Sequence, residues 1–100
     1  MKEVRFYIDP QTGQPHIYEH GVCEDEIEEV MRNRPITQLG RRSPKGELSS
    51  IAFGQTGAGR FLKVLYARTY DSLGIHIITS YDLRAKELLV HGRRLRRRNR

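Results

Sequence analysis

Lys63, Arg68, His76 and Tyr81 carry side chains that breaking an RNA phosphodiester would need. Without a metal, that reaction drives a ribose 2′-hydroxyl onto the neighbouring phosphorus. A base takes the hydroxyl proton, an acid protonates the departing oxygen, and cations stabilise the charge that builds on the phosphate. Histidine serves as either acid or base near neutral pH, which makes His76 a candidate. Tyr81 can donate a proton or stack on a nucleobase. Lys63 alternates with Leu62 and Val64, and Arg68 and Tyr70 lie further along the same alternation. These four form the candidate catalytic set. Each also has a plainer role: Lys63 and Arg68 on the wet side of a sheet, and His76 as a packed strand residue between isoleucines.

The charge distribution points to the same substrate class. Of eighteen Lys and Arg, six lie in the last eight residues, Arg93 to Arg100, and the remainder balances twelve basic against twelve acidic side chains. The formal charge of +6 therefore belongs to this end of the chain. Such a concentrated field attracts polyanions, and the planar guanidinium fork matches phosphate oxygens two at a time. Arg60, Arg84, Arg93, Arg94, Arg96, Arg97 and Arg98 are the candidate RNA-binding residues. A solvated terminus that only aids solubility would look the same.

Several function classes are disfavoured. The lone cysteine, Cys23, permits neither an internal disulfide nor a cysteine-based zinc site. The acids Glu24, Asp25, Glu26, Glu28 and Glu29 occupy successive helix positions that point in different directions, so they cannot converge on an ion. No metal and no cofactor is expected. Gly54 to Gly59 has glycines but no strand-loop-helix context, so it reads as a hairpin and not as a nucleotide-binding loop. No apolar run is long enough to span a bilayer and the first residues lack a signal-peptide core, which places the protein in the cytoplasm and away from membranes.

Length allows one domain, residues 1–92, followed by an arginine-rich tail, residues 93–100. Val4, Phe6 and Ile8 alternate with Arg5 and Tyr7, the pattern of a half-buried strand closed by Asp9-Pro10. Pro15 to His20 makes a short helical turn stopped by Gly21. A clear helix follows, with acids in its first turn, Arg32 and Arg34 at its end, Pro35 as its stop and Ile27, Val30 and Met31 as its apolar stripe. Cys23 takes the capping position as a small, partly buried side chain. Ile36 to Arg42 is irregular or a weak strand, and Ser43 to Gly46 is a turn. Strands over Leu48–Gln55, Arg60–Tyr70 and Gly74–Ser80 form a meander, with turns at Gly57 to Gly59 and at Asp71 to Gly74. Asp82 caps a last helix through about Leu89, with Gly92 as its stop. The expected fold is α+β: an antiparallel sheet of about four strands, with two N-terminal helices and one C-terminal helix packed on one face.

Three segments together carry a resemblance. Glu19-His20-Gly21-Val22 ahead of an acidic helix, the hairpin Gly54-Gln55-Thr56-Gly57-Ala58-Gly59-Arg60-Phe61-Leu62, and Ile77-Ile78-Thr79-Ser80-Tyr81-Asp82 before a helix containing Lys86-Glu87 resemble the BrnT-type toxins. The opening Phe6-Tyr7-Ile8-Asp9 fits as well. The resemblance implies a RelE-like fold and a type II toxin–antitoxin pair, in which a metal-independent ribonuclease is held by a cognate antitoxin. It leaves a homo-oligomer open. Two positions depart from the family pattern: Tyr81 stands where members usually carry an arginine, and Ser49-Ser50 stands where they often carry Arg-Trp. An alternative follows from those departures: a catalytically inactive relative kept as an RNA-binding or partner-binding module.

Overall fold

The computed structural model describes residues 3–42, 48–68 and 74–98. Strand β1 (Glu3–Phe6) is followed by a short 3-10 segment (His16–His20) and helix α1 (Glu24–Arg32). Four strands come next: β2 (Ile36–Arg42), β3 (Leu48–Gln55), β4 (Phe61–Arg68) and β5 (Gly74–Asp82). Helix α2 (Ala85–Arg98) closes the chain. The turn expected over Ser43 to Gly46, the residues Tyr70 and Asp71 to Leu73, and Arg100 lie outside the described residues.

The sheet corrects the expected fold. Among the described residues it has five strands in the order β1-β5-β4-β3-β2, and it is mixed: β1 pairs with β5 in parallel, while every other pair is antiparallel. The meander leaves the hydrogen-bonding edge of β5 open. β1 fills part of that edge, which a parallel partner can do only after a long crossover connection. The pattern of β1 announces a strand but carries no sign of which edge it joins. Ile36–Arg42 forms a strand, one of its two expected states, with a shift of register between Leu39 and Arg42. Its signal is weak because Thr37, Gln38 and Leu39 are exposed on the other edge of the sheet.

The helices also differ from expectation. The two N-terminal helices reduce to one α-helix, because His16–His20 is a 3-10 turn of five residues, ended by Gly21 in the left-handed region at φ 68°. The helices do not share a face. Ile27 and Val30 of α1 pack with Ala52, Leu62, Val64 and Ile77, whereas Leu95 of α2 packs with Phe53 and Leu83. Ala52 and Phe53 are consecutive, so they point to opposite faces of β3. The molecule therefore has three layers. On the α1 side the approach is close: a methyl group on Gly54 would come within 2.5 Å of Val30 Cγ1.

Helix α2 begins at Ala85 and runs through Gly92 to Arg98, well past the expected end near Leu89. Asp82 does not cap it. Glu87 Oε1 accepts the Arg84 N–H instead, at 3.0 Å. Burial of Leu95 anchors the distal turns and contributes about 2 kcal/mol. Arg96 to Arg98 lie in the last turn, where cations complement the helix dipole.

Candidate functional site

Strand register decides which of the candidate residues meet. Lys63 pairs with Tyr81, and Ala67 pairs with His76. Four residues of β4 therefore separate the two ends, roughly 13 Å. A register shift between Leu65 and Tyr66 returns His76 to the face that carries Tyr81, but it does not bring the two together. Arg68 pairs with Ile75 and lines the rim of an apolar cavity of about 560 Å³ with Val4, Met31 and Tyr66, on the α1 side. Tyr81 and Lys63 are thus neighbours, and His76 and Arg68 stand apart from them and from each other.

Lys63 is held. Its Nζ lies 2.9 Å from Glu87 Oε2, with both side chains only 20% exposed, and it sits over the rings of Tyr81 and Phe53 at 5.5 and 5.9 Å. Burial pushes the Glu87 carboxyl up, but the Arg84 N–H and the Lys63 ammonium outweigh it and keep the group below its ordinary value. Lys63 therefore serves to dock α2 on the sheet.

Arg60 is held more firmly still. Its Nε and Nη2 donate to the two oxygens of Asp82 at 2.7 and 3.2 Å. Nη1 donates to both oxygens of Glu26 at 3.0 and 3.1 Å and to the Gly21 carbonyl at 2.8 Å. One guanidinium thus ties the β3–β4 hairpin to the end of β5, the start of α1 and the turn at Gly21. The Asp82 hydrogen bonds raise its pKa further, and Arg60 in turn lowers that of Asp82. Burial pushes Glu26 up, but the Cys23 N–H and Arg60 overcome it. The Cys23 N–H reaches Glu26 Oε1 at 3.1 Å, so Cys23 caps α1 as expected, although its side chain is exposed. With both carboxylates bound, Arg60 is not available to a phosphate.

Beside this junction is an open cleft of about 490 Å³, lined by His20, Tyr81, Asp82 and Arg84. The rings of His20 and Tyr81 meet edge to face at 5.5 Å. Because β1 ends at Phe6, the 3-10 segment packs against β5 and places His20 beside Tyr81. Arg84 is exposed at the mouth. A proton-transfer group, a phenol and a cation are thereby gathered in one hollow.

Comparison with known proteins names no family. The sequence matches no family model, and no curated protein matches it.

Behind His20 the ring row continues to His16 at 5.6 Å and from there to Tyr7 at 6.2 Å. His16 Nδ1 lies 3.2 Å from Asp9 Oδ2. The Gln11 N–H and then His16 hold the Asp9 carboxyl below its ordinary value. Among the described residues, Asp9, His16 and Glu19 are the group whose donor atoms could share a metal ion. Sequence reasoning left His16 and Asp9 without a role, because their pairing spans a loop with no repeat or motif. The His-x-x-Glu spacing at His16 and Glu19 was the one available signal.

The described arginines beyond residue 92 all lie on α2. Arg93, Arg94, Arg96 and Arg97 are exposed. Arg96 also lies over Phe61 at 5.4 Å, and Arg98 Nη1 donates to the Arg34 carbonyl at 2.6 Å. On the same outward side of α2, Leu89 and Val90 are 86% and 68% exposed. No helix among the described residues is long and apolar enough to cross a membrane.

Proposed function

We propose that this chain is a BrnT-type ribonuclease toxin whose chemistry is carried by the His20–Tyr81 cleft. The single observation behind this reading is the 5.5 Å meeting of those two rings in a hollow that also holds Arg84. In this reading His20 takes the proton of the ribose 2′-hydroxyl as it attacks phosphorus. Tyr81 protonates the departing 5′-oxygen, and Arg84 stabilises the charge on the phosphate. The roles of base, acid and cation each fall to a side chain, so the reaction needs no metal. His76 and Arg68, at the far end of the sheet, take no part.

The exposed arginines of α2 hold the RNA backbone away from the cleft, and that contact weakens steeply as salt rises. The outward pair Leu89 and Val90, set among Lys86, Arg93 and Arg94, is where a cognate antitoxin docks with an acidic, amphipathic segment. A cytoplasmic location goes with this reading.

Induction in a bacterial host tests the reading. Growth arrest with RNA fragmentation is expected, and both effects should disappear in His20→Ala and Tyr81→Phe. Normal growth with intact RNA, together with RNA binding that is lost when the exposed Arg93, Arg94, Arg96 and Arg97 are replaced by Gln, would instead assign a non-catalytic binding module.

A further inference from the structure

We propose that Asp9, His16 and Glu19 bind a divalent transition-metal ion of the zinc type, one that fastens the loop after β1 to the 3-10 segment. This inference does not rest on the RNA reading. It begins with spacing. His16 Nδ1 stands 3.2 Å from Asp9 Oδ2 and 3.7 Å from Glu19 Oε2, and all three donor atoms lie within 4.8 Å of one another. Bonds of about 2.0–2.1 Å at tetrahedral angles put neighbouring ligand atoms roughly 3.3 Å apart. The observed separations need only small adjustments to enclose an ion.

The backbone builds this arrangement. In a 3-10 segment, residues three apart fall one above the other, so His16 and Glu19 share a side. Asp9 is fixed from several directions. Its N–H donates to the Gln14 carbonyl at 2.9 Å, and its carbonyl accepts the Gly13 N–H at 2.8 Å. Its Oδ1 accepts the Gln11 N–H at 2.8 Å, which leaves Oδ2 facing His16. Such an outer hydrogen bond on a carboxylate is the usual support of a metal ligand.

Charge argues in the same direction. Two carboxylates converge on one imidazole, and Asp9 is only 7% exposed. The cluster keeps a net negative charge whether or not the imidazole is protonated, and a dication would cancel it. A nitrogen donor with two carboxylate oxygens suits zinc and its neighbours better than magnesium or calcium, which prefer oxygen alone. Three protein ligands leave the fourth position to water. The ion would hold the segment that presents His20 to Tyr81 without touching either ring.

The test uses the purified full chain, stripped of metal by a chelator and then titrated with Co²⁺. Intense visible bands of a four-coordinate site are expected, discharged by an equivalent amount of Zn²⁺, and Zn²⁺ should raise the melting temperature. Glu19→Gln, a change at a half-exposed position that leaves folding intact, should weaken Zn²⁺ binding by at least about tenfold. Asp9→Asn should do the same, and Asp25→Asn on α1 should change nothing. A pale six-coordinate Co²⁺ spectrum would overturn the proposal. So would equal Zn²⁺ affinity in the wild type and Glu19→Gln, which would place any bound ion elsewhere. None of these readouts depends on RNA cleavage.

Discussion

Arg60 binds Asp82 and Arg84 shares a cleft with it, yet the two arginines live in different chemistry. Arg60 makes bonds to two carboxylates and a backbone carbonyl, and its charge is used up in holding four segments together. Arg84 spends only its backbone N–H on Glu87, and its side chain is exposed beside the rings of His20 and Tyr81. The difference teaches that a basic residue at a hairpin mouth is a poor guide to function until its partners are known. In this molecule the satisfied arginine builds the wall, and the exposed one faces the hollow.

The largest expected contrast is catalytic. His20→Ala should lower RNA cleavage by about a hundredfold or more, the usual worth of a positioned base. His76→Ala should leave it within about twofold, because His76 lies roughly 13 Å along the sheet from the cleft. A gel-based cleavage time course distinguishes the two.

Arg60→Met should break the other side of the comparison. It strands Glu26, Asp82 and the Gly21 carbonyl. The cost should be about 2 kcal/mol, between that of an exposed and that of a buried pair, because the Arg60 side chain is 28% exposed. For a domain of this size that lowers the melting temperature by about 10 °C. The pH dependence should change with it. The folded pKa values of Asp82 and Glu26 lie below their ordinary 3.8 and 4.5. The stability they contribute is complete above that range and is lost as pH falls through the lower folded values. Thermal melts from pH 6 down to about pH 2 should therefore fall less steeply in the variant than in the wild type.

Lys63→Met sharpens the contrast further. Loss of the pair with Glu87 should cost about 1–2 kcal/mol by chemical denaturation, since both side chains are four-fifths buried. Cleavage should hold, because Lys63 docks α2 and does not face the cleft as a free cation. The smallest effect belongs to Gly92. A methyl group there would meet nothing closer than 3.8 Å, so Gly92→Ala should stabilise α2 by about 0.5–1 kcal/mol. A destabilised variant would contradict a helix continuous to Arg98.

Local pattern made much of the chain legible, and long-range placement did not. The stripe of Ile27, Val30 and Met31 announced α1, and glycines marked the β3–β4 hairpin. Apolar residues on both sides of β4, Leu62 and Val64 on one and Phe61 and Leu65 on the other, suit its central place in the sheet. The partner of β1 was hidden, because alternation in Val4 and Phe6 says which face is buried but not which edge is joined. The end of α2 was misplaced because Gly92 reads as a stop, whereas Leu95 is buried against Phe53 and Leu83 and draws the helix onward. Of the residues singled out by type, Tyr81 and Arg84 line the cleft, whereas Lys63 is held by Glu87. His20 was noticed at a helix junction but left outside the site, since only the fold shows that the 3-10 segment runs beside the end of β5. His76 is a candidate by type alone, and register puts it at the other end of β5 from Tyr81.

The most direct measurement quantifies 2′,3′-cyclic phosphate ends formed when purified protein is incubated with RNA. Wild type, His20→Ala and His76→Ala are compared after confirming that all three melt at similar temperatures. The account predicts that such ends accumulate with the wild type and His76→Ala and are nearly absent with His20→Ala. Cleavage by His20→Ala at the wild-type rate, or its loss in His76→Ala alone, would contradict it.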